Sequence, residues 1–307
     1  MTPGGGELRR NPASGRLSIV APARASRPAG AAGPGAGASP CPFCAGNERL
    51  TPPEVDAVRP GGGAPDGPGW RVRVVPNKYP ALDGRHEVIV HAPAHEAGLE
   101  DLGDDALAEV LAVWQRRVTA HLESGAAAVT LIGNLGAGSG ASLEHPHEQL
   151  FATPVVPPLL LDELVEAERH RNRYGTCVVC DEIERAGDRA VLDGAVAAWV
   201  PGACRFNGEL WLAPAAHEAD FRVADPAAVA PALRRALTAV KASIAGAPLN
   251  FWLHTAPADA RGPFHWHLEF APRTSALAGF ELGTDIALVI KSPVEAAREY
   301  RAALPPA

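Results

Sequence analysis

Asn134-Leu-Gly-Ala-Gly-Ser-Gly-Ala-Ser142-Leu-Glu-His145-Pro-His147-Glu-Gln149-Leu-Phe151 joins two kinds of chemistry in one stretch. A loop of small residues brings backbone N–H groups within reach of a phosphate, and it runs straight into two histidines and a glutamine at alternate positions. On a strand, those three side chains share one face. The stretch therefore reads as an anion cradle beside a candidate nucleophile.

Outward from this stretch, Val129–Gly133 reads as the strand entering the loop, and the strand carrying the histidines ends near Thr153. Upstream, Leu107, Val110, Leu111, Trp114, Val118 and Leu122 recur at spacings of three and four, which predicts an amphipathic helix from Asp101 to Glu123. Strands are expected at Arg71–Val75 and His86–His91, with Pro76-Asn77-Lys-Tyr-Pro80 turning between them. Leu17–Val20 reads as a short strand ending in Arg24 and Arg27, whose guanidinium groups can fork onto phosphate oxygens. Residues 1–40 are rich in Gly, Ala and Pro, and Ala29–Ser39 is expected to be a mobile loop.

The second half repeats the order. After a helix at Leu159–Arg173 come strands at Val196–Val200 and Glu209–Ala213, then a helix capped by Asp225-Pro226 with the stripe Val229, Leu233, Leu237, Val240 and Ile244. Strands at Asn250–Thr255 and His265–Ala271 complete it. Val-Ile-Val-His-Ala-Pro-Ala-His95-Glu matches Leu-Trp-Leu-Ala-Pro-Ala-Ala-His217-Glu, and His145-Pro-His147-Glu-Gln149 matches His265-Trp-His267-Leu-Glu269. Two related α+β units follow, residues 1–155 and 156–307, too few copies for a solenoid.

The repeat supplies a ligand set in each half: Cys41, Cys44, His95 and His145, then Cys177, Cys180, His217 and His265. Two thiolates and two imidazoles close a tetrahedron with no open position, which describes structural zinc at two sites. Cys204 is left over and reads as an ordinary buried thiol. If His145 is tied to a metal, His147 is held two residues away on the same face, where neutral imidazole is a nucleophile at pH 7. Gln149, Ser142 and the loop amides are the donors expected to meet charge developing on a phosphoryl group. Glu269 stands where the first half has Gln149, and its charge would repel phosphate, so one catalytic copy is expected. For His267, core packing and pocket shaping both stay open.

Composition sets the limits. The 307 residues are 47% hydrophobic, enough for one large or two small cores, and the five cysteines in this pattern suit metal binding in a reducing compartment. A net charge of −7 argues against a nucleic-acid scaffold. With no apolar run of about 18 residues and no signal-peptide pattern, the expectation is a cytoplasmic chain with no membrane partner.

These residues resemble the galactose-1-phosphate uridylyltransferase family of the histidine-triad superfamily, along nearly the whole chain. The resemblance is carried by Asn11-Pro12, Ala-Pro-Ala-Arg24-Ala-Ser-Arg27-Pro, Cys41-Pro-Phe-Cys44-x-Gly-Asn-Glu, Pro76-Asn77, Pro-Ala-His95, Asn134-x-Gly and Ser142-x-x-His145-Pro-His147-x-Gln149. It implies tandem histidine-triad-like units, mainly antiparallel sheets flanked by helices. It also implies a nucleotidyltransferase in carbohydrate metabolism, as in galactose metabolism, in which His147 attacks the α-phosphorus of a nucleoside diphosphate sugar. The nucleotidyl group then passes to a sugar 1-phosphate or, in phosphorylase members, to orthophosphate. Arg24, Arg27, Asn77, Asn134, Ser142 and Gln149 would hold nucleotide and phosphates. Gly279, Phe280 and Glu281 resemble the segment that contacts hexose phosphate, often from the partner subunit of a homodimer. The second cysteine–histidine set resembles the branch containing ADP-glucose phosphorylases. A histidine-triad hydrolase would call for a third histidine where Gln149 stands. A non-catalytic, zinc-stabilised nucleotide-binding protein is the remaining alternative.

Overall fold

The computed structural model describes residues 6–26, 40–260 and 262–305. Arg27 and the segment 29–39 lie outside them. A two-stranded ribbon, β1 (Glu7–Arg10) with β2 (Leu17–Val20), stands apart from the main sheet. Arg24 does not extend β2 as expected. Pro22 has no N–H to continue the ladder, and Arg24 follows on a 3₁₀ turn, Pro22–Ser26.

The first half continues with β3 (Asp56–Val58), β4 (Val72–Pro76), β5 (His86–Val90), α1 (Asp104–Glu123), β6 (Ala128–Leu135) and β7 (Glu148–Thr153). The second adds α2 (Pro158–Tyr174), α3 (Val178–Glu184), β8 (Ala190–Leu192), β9 (Val196–Trp199) and β10 (Leu210–Pro214). Then come α4 (Pro226–Ser243), β11 (Leu249–His254), β12 (His267–Pro272), α5 (Gly279–Thr284) and α6 (Pro293–Ala303). All ten strands from β3 to β12 form one antiparallel sheet in the order β3-β4-β5-β7-β6-β11-β12-β10-β9-β8. From its two edges to its centre the order is the same, β3-β4-β5-β7-β6 against β8-β9-β10-β12-β11. Every chain reversal is between antiparallel neighbours or across a helix, so the sheet is antiparallel and flanked by helices.

The apolar stripes set which faces are buried. Leu107, Val110, Leu111, Trp114, Val118 and Leu122 of α1 are all buried, as are Val229, Leu233, Leu237 and Val240 of α4. Helices α1 and α4 pack side by side, α1 against β6 and α4 against β9 and β10, and one apolar core runs through both halves. Asp225 caps α4 by accepting from Ala227 N–H at 3.0 Å, with Pro226 at the first turn. Helix α1 starts three residues later than the sequence pattern predicts, because Leu99–Asp101 forms a 3₁₀ turn and Gly103 intervenes. Among the described residues, no helix is long and apolar enough to cross a membrane.

Candidate active site and metal centres

Strand β7 begins at Glu148, so His145-Pro146-His147 is not yet in the ladder. Pro146 has no N–H to give it, and the two histidines are held by side-chain bonds instead. Cys41 and Cys44 are brought together by a turn in which Cys44 N–H donates to Cys41 C=O at 3.3 Å and Asn47 Nδ2 donates to the same carbonyl at 2.9 Å. Cys44 Sγ lies 3.2 Å from His95 Nδ1 and 3.6 Å from His145 Nδ1, and Cys41 Sγ lies 3.7 Å from His145 Nδ1. A tetrahedron with zinc–ligand arms of about 2.0–2.3 Å has edges of roughly 3.3–3.8 Å, which these distances match. His145 Nε2 lies 2.9 Å from Ala92 C=O and donates to it, so the Nδ1 lone pair faces the sulfurs. Burial, with His95 and other imidazoles nearby, lowers the His145 pKa to about 4 and keeps it neutral, as a ligand must be.

The second set is built the same way. His265 Nδ1 is 3.6 Å from Cys177 Sγ and 3.5 Å from Cys180 Sγ, and His217 Nδ1 is 4.0 Å from Cys180. His265 Nε2 donates to Pro214 C=O at 3.1 Å. Burial and then Cys177 push the Cys180 thiol up to about 12, a penalty on the thiolate that a cation between the sulfurs would remove. In each set all four ligand atoms lie within 4.8 Å of one another, so both can hold a metal.

His147 is buried and donates from Nδ1 to His145 C=O at 2.9 Å, which puts its lone pair on Nε2. The Phe43 ring, from the Cys41–Cys44 turn, meets it edge-on at 5.1 Å. Gln149 Oε1 lies 3.0 Å from Nε2 of His86 on β5. His86 is the meeting point of the other expected binding residues. Asn77 Nδ2 is 3.1 Å from its Nε2, and Arg24 Nη1 is 3.5 Å from its Nδ1 and donates to Tyr79 C=O.

The β6–β7 register pairs Gly133 with Glu148, which sets Asn134 beside His147. Asn134 Oδ1 accepts from Asn250 Nδ2 at 2.7 Å, across the centre of the sheet. The loop from Gly136 to His147 turns through positive φ at Gly136, Gly138 and Gly140, a conformation that side chains other than glycine rarely adopt, and Ser142 sits half-buried in it. Gly279, Phe280 and Glu281 lie on α5, where Glu281 Oε2 accepts from Ala278 N–H and Phe280 is exposed.

Two features escaped the sequence reading. His86 was read only as the start of a strand. The other is a third group able to hold a metal, Glu163, His254, His267 and Glu269, whose ligand atoms also lie within 4.8 Å. Register was its signal: His254 pairs with His267 as Asn134 sits beside His147, and Trp252 pairs with Glu269 as Ile132 pairs with Gln149. Asn134, His147 and Gln149 thus correspond to His254, His267 and Glu269, and Glu163 joins them from α2. Burial opposes charge on His254, but hydrogen bonds with Glu163 and Glu269 outweigh it and raise its pKa to about 9. Burial likewise opposes charge on Glu269, but His254 and His267 hold it ionised, well below the usual carboxylate range.

Residues 77–157 match the N-terminal domain of galactose-1-phosphate uridyl transferase. The chain is 28% identical to ADP-glucose phosphorylase from Arabidopsis thaliana, over 96% of its own length and 92% of that protein. It is 26% identical to galactose-1-phosphate uridylyltransferase from Thermotoga maritima, over 96% and 98%. Superposed on the crystal structure of an Arabidopsis thaliana ADP-glucose phosphorylase with bound ADP-glucose, it gives a TM-score of 0.80 at 27% identity, covering 97% of this chain and 98% of that one.

Proposed function

We propose that this chain, an enzyme of the galactose-1-phosphate uridylyltransferase-like nucleotidyltransferase type, transfers a nucleoside monophosphate by way of His147. The Nε2 lone pair attacks the α-phosphorus of a nucleoside diphosphate sugar, an N–P bond forms, and the P–O bond to the sugar 1-phosphate breaks with its electron pair on the leaving oxygen. An oxygen of the acceptor then attacks phosphorus and returns the electron pair to Nε2. The observation that carries this reading is the pairing at His145 and His147: one imidazole turns its lone pair to two cysteines, and the next, two residues on, turns its lone pair away from the carbonyl it is bound to.

Gln149, Asn77, Arg24, Arg27, Asn134, Ser142 and the loop amides are assigned to the nucleotide and its phosphates. Zinc is assigned to both cysteine–histidine sets, where all four ligands are protein atoms and the role is structural. Gly279, Phe280 and Glu281 are assigned to the sugar phosphate of a homodimer partner. The exposed side chains Phe280, Leu282, Ile286, Leu288 and Ile290 around α5 suit such an interface. The same reading takes residues 1–155 and 156–307 as duplicated halves of a cytoplasmic protein.

Two acceptors fit the same intermediate. The ADP-glucose phosphorylase relative, matched over almost its full length, supports ADP-glucose with orthophosphate. The uridylyltransferases support a sugar 1-phosphate acceptor. Incubation with α-³²P-labelled ADP-glucose or UDP-glucose and no acceptor should leave acid-labile label on the wild type and none on His147→Ala. Equal labelling of both would overturn the assignment. A chase with orthophosphate or with glucose 1-phosphate then separates phosphorylase from transferase by which one releases the label.

A further inference from the structure

His86 is almost wholly buried, at 2% exposure, and each of its ring nitrogens has a fixed neighbour. Ala81 N–H points at Nδ1 from 3.0 Å, and Arg24 Nη1, a second donor, lies 3.5 Å from the same atom. With two donors facing it, Nδ1 carries a lone pair, and the ring hydrogen of neutral imidazole is on Nε2. At Nε2 the neighbours are Gln149 Oε1 at 3.0 Å and Asn77 Nδ2 at 3.1 Å. The opposite tautomer would satisfy Asn77 alone and set a hydrogen against both Ala81 and Arg24. Asn77 has its own orientation fixed by Tyr79 N–H, which donates to Oδ1 at 2.8 Å and so turns Nδ2 to the Nε2 side of the ring. The ring plane of His86 is held by Phe151, stacked at 4.0 Å with 24° between planes.

A glutamine amide has nearly the same shape in either orientation, but its two faces carry opposite partial charge. Only the NH₂ face stabilises phosphoryl oxygens, and the carbonyl face repels them. We infer that His86 is a positioning residue for the transfer step: by donating from Nε2 to Gln149 Oε1 it fixes the amide with its NH₂ toward the phosphoryl group bound by His147. This rests on the reading of His147 as nucleophile. The geometry of the sheet makes the pairing direct, since Val88 pairs with Gln149 and His86 with Phe151, putting His86 and Gln149 on one face of adjacent strands. In the second half both members change together. Trp211 pairs with Glu269, and two residues before it stands Glu209 in place of His86. A carboxylate has no amide face to orient.

The test is single-turnover formation of labelled protein from α-³²P-labelled ADP-glucose. His86→Leu is expected to slow labelling by about tenfold to a hundredfold with the half-saturating concentration within about twofold, since one oriented donor is lost in the transition state. His86→Gln, which restores an N–H near the Nε2 position, should recover most of the rate. The double variant His86→Leu/Gln149→Ala should be no slower than Gln149→Ala alone. Unchanged labelling in His86→Leu, or independent losses that multiply in the double variant, would overturn the inference while leaving the His147 reading intact. Absence of label in the wild type with both ADP-glucose and UDP-glucose would instead overturn the His147 reading. The tautomer is read without turnover, from ¹⁵N–¹H correlation spectra of the histidine rings: His86 should carry its proton on Nε2, and a proton on Nδ1 would refute the positioning role.

Discussion

Gly133 lies in β6 at the point where Phe251 of β11 crosses it, and a Cβ there would stand 1.9 Å from the Phe251 ring. The ring is fully buried and has nowhere to go. Gly133→Ala should therefore destabilise the protein by about 3 kcal/mol in urea unfolding, at the upper end of the usual cost of overpacking, and an unchanged midpoint would contradict the packing described. At this scale much of the site was legible in the sequence, because Cys-x-x-Cys and His-Pro-His-x-Gln are local spacings whose chemistry does not depend on the fold. His86 was not, since its role depends on a strand pairing and on the amide of Ala81, neither of which leaves a mark in the string Arg85-His86-Glu87-Val88. Glu163 was hidden for a similar reason, sitting on a helix and reaching His254 across 91 residues.

Beside its apolar stripe, helix α1 is tied to the sheet by a buried charge. Glu87 of β5 accepts from Arg117 of α1 at 2.7 and 2.9 Å, and His121 lies 3.0 Å from the same carboxylate. Burial raises the energy of that carboxylate, and the bonds from His121 and Arg117 more than offset it, so its pKa falls below the ordinary value of 4.5. Its contribution is then full above pH 4.5, where the unfolded chain is also ionised, and is lost as pH falls through the lower folded value. Glu87→Gln should thus flatten the loss of stability seen in acid titrations below about pH 4.5, and an identical acid profile would exclude this anchor. Asp225→Ala removes the cap of α4 and should cost about 1 kcal/mol, read from the same urea midpoint. The stripes on α1 and α4 were legible from period alone, whereas the start of α1 was not, because Gly103 and the preceding 3₁₀ turn compete with a helix that propensity would extend to Asp101.

Across the whole molecule, the two cysteine–histidine sets stand on opposite wings of one sheet, one drawing on the Cys41–Cys44 turn and the other on the start of α3. Elemental analysis should return about two zinc ions per chain, and a value near zero would refute both sites. On the proposed reading, Cys180→Ser should remove one ion with labelling at His147 retained, while Cys44→Ser should remove one ion and the labelling together, because Cys44 lies against His145, two residues from His147, and Cys180 against His265. The matched strings were legible in the sequence, but the sequence did not show that the strands carrying them share one sheet and one core, which depends on β6 meeting β11. That meeting has a further consequence. Five residue pairs, from Leu249–Leu135 to Leu253–Leu131, cover the backbone of β6 on that side. A fragment cut after residue 155 would carry His147 and an open edge at once. Its unpaired N–H and C=O groups would template pairing with another copy, so such a fragment should self-associate or precipitate rather than persist as a monomer.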